Sequence, residues 1–273
     1  MHCHSVASRL TKPEVRKGLF FGECATEPEA IYELAKRRGM DFVTITDHDT
    51  IEGAMRLADR PDCFVSVELT ARFAGEPREA HVLCFGIDPD DHAALQERAH
   101  DVEACAEYLR GRGILAALAH PFWEVEEPLT LRHRRRLAQL FPVWEVRSGY
   151  FGSALNAPAL AFREACGGVG IGGSDDHGGI HVGLTYTEGP PAGSPHEFLA
   201  NVRAGLVQPG GEQGSRLKLA QATAGIAARS LPGGMGRAAG ALAARATRVA
   251  PAPEPAPVPA TPEPTQLPDA VGF

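Results

Sequence analysis

Short apolar runs recur along the chain as far as residue 172. They cover 42–46 (FVTIT), 63–69 (CFVSVEL), 81–87 (HVLCFGI), 114–119 (ILAALA), 143–146 (VWEV) and 169–172 (VGIG). Their length and near-continuous hydrophobicity predict buried parallel strands rather than half-exposed ones. Between several of them the period lengthens to that of a helix. Thr26-Glu27-Pro28-Glu29 opens one, with a threonine cap and a proline in the first turn. Ile31, Leu34 and Ala35 form its apolar stripe, and Gly39 ends it. A longer helix is expected over Asp91 to Arg110. Strand-then-helix alternation predicts an α/β fold, either a parallel barrel or an open doubly wound sheet.

The pattern stops before the chain does. From Ala250 the sequence reads APAPEPAPVPATPEPTQLPDAVGF. So many prolines exclude a helix or a central strand, and the few large apolar groups cannot offset ordering entropy. A disordered, extended tail over 250–273 is expected, with its partner unknown. An Ala/Gly/Arg-rich connecting segment is expected over 231–249, and the folded domain over 1–230.

Composition adds two points. Of the 273 residues 22% are charged, with a net charge of −7, so no broad basic surface for nucleic acid is expected. No apolar run is long enough to span a membrane. The 11 histidines are roughly twice the usual share, which directs attention to metal. The six cysteines form no CxxC pair. With no signal peptide evident, a reducing cytoplasm is expected.

Nearly every predicted strand delivers a His, Asp or Glu at or near one end. His2-Cys3-His4 lies at the start, Asp47-His48 follows TIT, and Glu68 closes VSVE. His81 opens HVLCFGI, His120 follows ILAALA, Glu145 lies in VWEV, and Asp175-Asp176-His177 follow GVGIGG. His2 and His4 share one face of an extended strand. In a parallel barrel the strand ends converge on one mouth. Nitrogen and carboxylate donors gathered there suit divalent Zn, Mn or Fe, and without metal they would leave costly buried polar groups.

These motifs resemble the PHP domain, the polymerase and histidinol phosphatase family. The resemblance rests on HCH (2–4), TITDHDTIEG (44–53), VELT (67–70), HVLCFGI (81–87), AHP (119–121) and GSDDHGG (173–179). It extends to about residue 185, and AKRRGMDFVTITDHDTIEGA looks like the standalone bacterial PHP phosphoesterases. It implies a distorted seven-stranded β/α barrel, with His2 to Ser5 as the seventh strand and two or three divalent metals at the mouth. By resemblance, His2, His4, Glu68 and Asp175 hold the first metal. Glu68 bridges to the second, with His81 and His120, while His48 and His177 hold a third. A metal-bridged hydroxide would then attack phosphorus. Two metals bring +4 against −2 from Glu68 and Asp175, so the site attracts phosphate although the protein is acidic.

Two departures from the family stand out. Met1 directly precedes His2, leaving little of a first strand, and the native start is expected upstream of Met1. The family has an acid or histidine shortly after its HxH motif, where this chain reads Ser5-Val6-Ala7-Ser8-Arg9. The third site is thus expected to be one ligand short, with Arg9 a candidate phosphate contact. Arg147, just past Glu145, is a second candidate for binding phosphate. Glu145, Asp47 and Asp176 are expected to orient ligands. Cys3 and Cys84 are expected to pack as small apolar groups.

Plainer expectations cover the remainder. His92, His100 and His133 are read as solvated helix residues, His196 as part of a helix start, and His181 as a less favoured candidate for substrate contact. The Arg132–Arg136 run (RHRRR) reads as a charged helix face or a nucleic-acid patch. The leading expectation is hydrolysis of a small phosphomonoester of nucleotide or histidinol phosphate type. The alternatives are 5′-to-3′ exoribonuclease or phosphodiesterase action on short nucleic acid, and a non-catalytic metal-binding module.

Overall fold

The computed structural model describes residues 1–8, 24, 26–123 and 127–230. The expected connecting segment, the Pro-rich tail and Arg9 lie outside the described residues. The described chain runs α1 (Pro28–Arg37), α2 (Glu52–Met55), β1 (Ser66–Arg72), β2 (Glu79–Phe85), α3 (Pro89–Arg98), α4 (Val102–Arg112), β3 (Leu115–Leu118) and α5 (Leu131–Leu140). It continues with β4 (Val143–Ser148), α6 (Ser153–Cys166), β5 (Val169–Gly173), β6 (Thr185–Glu188), α7 (Pro195–Arg203), β7 (Gln208–Gly211) and α8 (Arg216–Ser230).

The fold is α/β, and its main sheet has five strands in the order β1-β2-β3-β4-β5. Only β3–β4 and β4–β5 are parallel; β1–β2 and β2–β3 are antiparallel. This corrects the all-parallel expectation. Residues 73–78 are too few for a crossover helix, so β2 must return alongside β1. The reversal places His81, at the start of β2, opposite Thr70 near the end of β1.

Period-two alternation divides the sheet residues between two faces. Val67, Leu69 and Ala71 of β1, Val82 and Cys84 of β2, and Trp144 and Val146 of β4 pack against Leu95, Cys105, Leu109 and Leu137 of the covering helices. Leu83, Phe85, Leu115, Ala117, Val143 and Ile171 point to the opposite side, where Phe198, Leu199 and Val202 of α7 cover them. That second face changes character along its length, since Glu68, His81 and Glu145 lie in phase with its apolar members. An apolar floor therefore lies beneath a polar end.

Two expected strands are present only as extended segments. Residues 2–5 and 42–48 form isolated parallel bridges, Cys3 with Asp176, Val43 with Cys63, and His48 with Glu68. Side chains take the place of ladder partners: Cys3 N donates to Thr46 Oγ1 at 3.1 Å, and Ser5 N to Asp47 Oδ1 at 2.5 Å. Backbone bonds still join the pieces, from Asp175 N to His2 O, His4 N to Asp176 O, Thr46 N to Cys3 O and Glu68 N to Asp47 O. The N-terminal segment thus lies between the end of β5 and the 42–48 segment.

Three helix expectations change. Glu27, not Thr26, takes the cap position of α1, without a side-chain cap bond. The helix expected over Asp91–Arg110 is two helices, because Asp101 accepts from Glu103 N and Ala104 N and starts a new one. His133 is buried rather than solvated, bonded to Glu76 Oε2 at 2.9 Å and Thr130 Oγ1 at 2.7 Å.

Gly173 closes β5 against the N-terminal segment. A Cβ there would overlap the Cβ of His2 and stand 2.7 Å from Glu145 Oε1 and 3.0 Å from His2 N. Gly173→Ala is expected to cost about 1–3 kcal/mol through overpacking. A thermal melt should show this as a fall of several degrees, and an unchanged melt would show that His2 has room to move.

Candidate metal centre

All eight residues expected as metal ligands converge at the polar end of the sheet. They fall into four overlapping donor groups: His2–His4–Asp175, His2–Glu68–His120, His48–Glu68–His81 and His4–His48–His177. Glu68, fully buried on β1, stands in the middle. Its Oε1 lies 2.8 Å from His81 Nδ1 and 3.0 Å from His120 Nε2. Its Oε2 lies 3.0 Å from His2 Nε2, 3.1 Å from His4 Nε2 and 3.3 Å from His48 Nδ1.

The first group has the spacing of a coordination shell. His2 Nε2 and His4 Nε2 are 3.2 Å apart, and each faces Asp175 Oδ1, at 3.4 and 3.3 Å. Four donors held tetrahedrally at about 2.0–2.1 Å from one ion stand about 3.3 Å from one another. Adjacent residues set the chemistry of these donors. Glu145 Oε1 lies 3.1 Å from His2 Nδ1, and its Oε2 accepts from His120 N at 3.1 Å. An Nδ1–H donated to Glu145 leaves the His2 Nε2 lone pair facing Glu68 and Asp175. Imidazole and carboxylate donors so arranged fit a divalent ion.

Backbone geometry supports the same picture. Among the described non-glycine residues, Asp49, His120 and Asp175 have positive φ, at 53°, 23° and 46°. Such conformations are costly outside glycine and collect at functional sites. Two of the three are expected ligands. The third, Asp49, follows His48 and accepts from Thr70 N and Thr70 Oγ1. Asp47 accepts from both Ser5 N and Ser5 Oγ, and Asp176 from Gly178 N and Ile180 N. These two acids hold the loops that carry the histidines, as expected of them.

Burial and charge act in opposite directions on the ionisable groups. Burial alone would lower His4, but hydrogen bonds to Asp175 and Glu68 outweigh it and raise its pKa to about 10. His2 rises well above its usual value because Asp175, Glu145 and Glu68 outweigh its burial. Burial raises Glu68, yet His48, His2 and His81 hold it well below the carboxylate range. In the metal-free protein, protons on the histidines thus balance the carboxylates.

Not every candidate joins this cluster. Arg147 donates to Gly211 O at 2.6 Å and ties β4 to β7, rather than reaching the histidines. His181 is buried but belongs to none of the four donor groups, and burial chiefly lowers its pKa. Ser8 was not expected to contribute. Its hydroxyl lies 3.3 Å from His4 Nδ1 and accepts from His48 N at 3.1 Å, bracing two members of the His4–His48–His177 group. Only its nearness to the HxH motif hinted at this.

No family model and no curated protein matches the chain. Solved structures do match. A two-domain protein from Bacteroides vulgatus containing a predicted PHP-like metal-dependent phosphoesterase is similar at 15% identity and a TM-score of 0.51, covering 74% of this chain and 66% of that one. PsfC from Pseudomonas syringae is similar at 18% identity and a TM-score of 0.53, covering 74% and 88%. The chain shares its fold with a PHP-like protein, in agreement with its sequence motifs.

The raised His4 pKa has a consequence for stability. Its contribution is complete below the ordinary 6.5 and is lost as pH rises through about 10. Chelator-treated protein should therefore melt at falling temperatures from pH 6.5 to 10. Metal binding must release these protons, so affinity for added Mn or Zn should climb over the same interval in calorimetric titrations. A flat melting profile with pH-independent affinity would contradict both assignments.

Proposed function

We propose that this chain is a metal-dependent hydrolase of phosphate esters, acting on a small phosphomonoester. The observation that carries this reading is Glu68, whose two oxygens face two different sets of histidines. In this reading His2, His4, Asp175 and Glu68 hold one divalent ion, and Glu68, His81 and His120 hold a second. His48 and His177 form a weaker third site beside His4, completed by no acid among the described residues. The N-terminal segment and residues 42–48 complete a distorted seven-membered barrel with the five strands. Mn, Zn and Fe all suit these donors.

Divalent ions bound there supply charge that activates water and offsets the charge developing on the phosphoryl oxygens. The chain supplies orientation. Glu145 fixes the His2 ring and the backbone of His120, and Asp47 fixes the segment following His4. Hydrolysis joins the water oxygen to phosphorus and breaks the ester P–O bond, and the alcohol leaves with a proton. Arg147 anchors β7 in this account.

The nucleic-acid alternative draws its support from the RHRRR run, where three of the four arginines are already engaged. Arg132 pairs with Glu76 at 2.9 Å and Arg136 with Glu103 at 2.7 Å, while Arg134 lies 4.4 Å over the Phe122 ring. Among the described residues no helix is long and apolar enough to cross a membrane.

Metal analysis of purified protein is expected to find two tightly bound ions per chain. With Mn or Zn, phosphate should be released from at least one member of a panel containing nucleoside bisphosphates and histidinol phosphate. Glu145→Ala should cost about 10- to 100-fold in activity or metal affinity. An absence of turnover with every metal would reject the enzyme reading, and turnover confined to 5′-phosphorylated RNA would favour the alternative.

A further inference from the structure

An arc of aromatic rings borders the histidine cluster. The Trp123 ring meets His120 edge-on, with centroids 5.3 Å apart, and lies 5.1 Å from Phe151. Phe151 is 5.5 Å from His120 and 5.0 Å from Tyr150, and Tyr150 is 5.3 Å from His177. The arc thus runs from one side of the histidine cluster to the other. The chain's other tryptophan, Trp144, is fully buried in the core and bonded to Phe141 O, whereas Trp123 is half-buried.

Trp123 also forms part of a cleft that opens beside His81 and His120. Pro121 and Leu129 extend its apolar wall, and its charged members besides the histidines are Glu79 and Glu127. Both acids face arginines, Arg72 at 3.9 Å and Arg78 at 3.4 Å. The polarity is therefore separated. A phosphoryl group is drawn to divalent ions held at the donors, while a ring finds aromatic and apolar wall in the cleft, whose carboxylates are offset by Arg72 and Arg78.

We infer that this cleft is the leaving-group subsite, and that Trp123 selects phosphate esters whose alcohol carries a planar aromatic ring. The inference rests on the phosphoesterase reading above, since it needs the phosphoryl group at the histidines. Phe151 and Tyr150 hold the Trp123 side of the mouth in place. Trp123 acts by stacking and takes no part in bond making.

Binding can be measured without turnover by using phosphonates, whose P–C bond is not hydrolysed. Zn-loaded full-length protein would be titrated calorimetrically with benzylphosphonate and with methylphosphonate. Benzylphosphonate should bind about fivefold tighter or more, the worth of one stacked ring. Trp123→Ala should remove most of that preference, and Trp123→Phe should restore part of it, with metal content checked in each variant. Tryptophan fluorescence of the unmodified protein is an independent measurement, in which benzylphosphonate but not methylphosphonate should alter the emission. Equal binding of the two phosphonates, or a preference unchanged in Trp123→Ala, would overturn the assignment. If the ring preference holds while no phosphate ester is hydrolysed, the subsite survives and the enzyme reading fails.

Discussion

A carboxylate with no exposure to water has to be neutralised, and five histidines surround Glu68. An isolated buried charge costs several kcal/mol even after relaxation. The surrounding architecture answers that cost with positive charge, whether protons on imidazoles or ions held between them. The five histidines come from four separate parts of the chain, so surrounding one side chain requires the N-terminal segment, the 42–48 segment, β2 and the end of β3 to meet. His120 and Asp175, both members of the cluster, keep positive-φ backbone where they meet it.

The sheet makes such a meeting possible by changing character along one face. Phe85, Leu83, Ala117, Val143 and Ile171 give a dry floor closed by α7, and two residues further along the same phase come His81 and Glu145. Rigid packing below holds polar groups above, an arrangement favoured wherever donors must keep their positions. Outside the expected donors, Glu145, Asp47, Asp176 and Ser8 each bond to one of them or to the loop carrying one.

Much of the centre was legible because its expected donors interrupt apolar runs. A histidine or acid at the end of a buried strand is conspicuous, and all eight expected donors came together. The α/β class was legible from the same runs. Strand direction was not: HVLCFGI reads alike in either sense, and only the short 73–78 connection betrays the reversal. Irregularity of the first two segments escaped notice because it arises from Thr46 and Asp47 accepting backbone N–H groups across the fold. The burial of His133 depends on Glu76, 57 positions away, beyond the reach of local pattern. The break at Asp101 was readable in principle, as an aspartate directly before the apolar Val102. Trp123, Tyr150 and Phe151 form an arc only once β3 and β4 are neighbours.

The pairing of residues 2–4 with residues 174–176 also sets an order of events during synthesis. His2 and His4 can meet Glu68 early, but Asp175 follows them only much later in the chain. Contacts of such long separation form late and slow folding. Apolar layers between β1 and β5 can assemble beforehand, but the donor set cannot. The donor set is therefore complete only once the segment after β5 has been made, and a chain arrested before residue 175 would carry the histidine motif without Asp175 and His177.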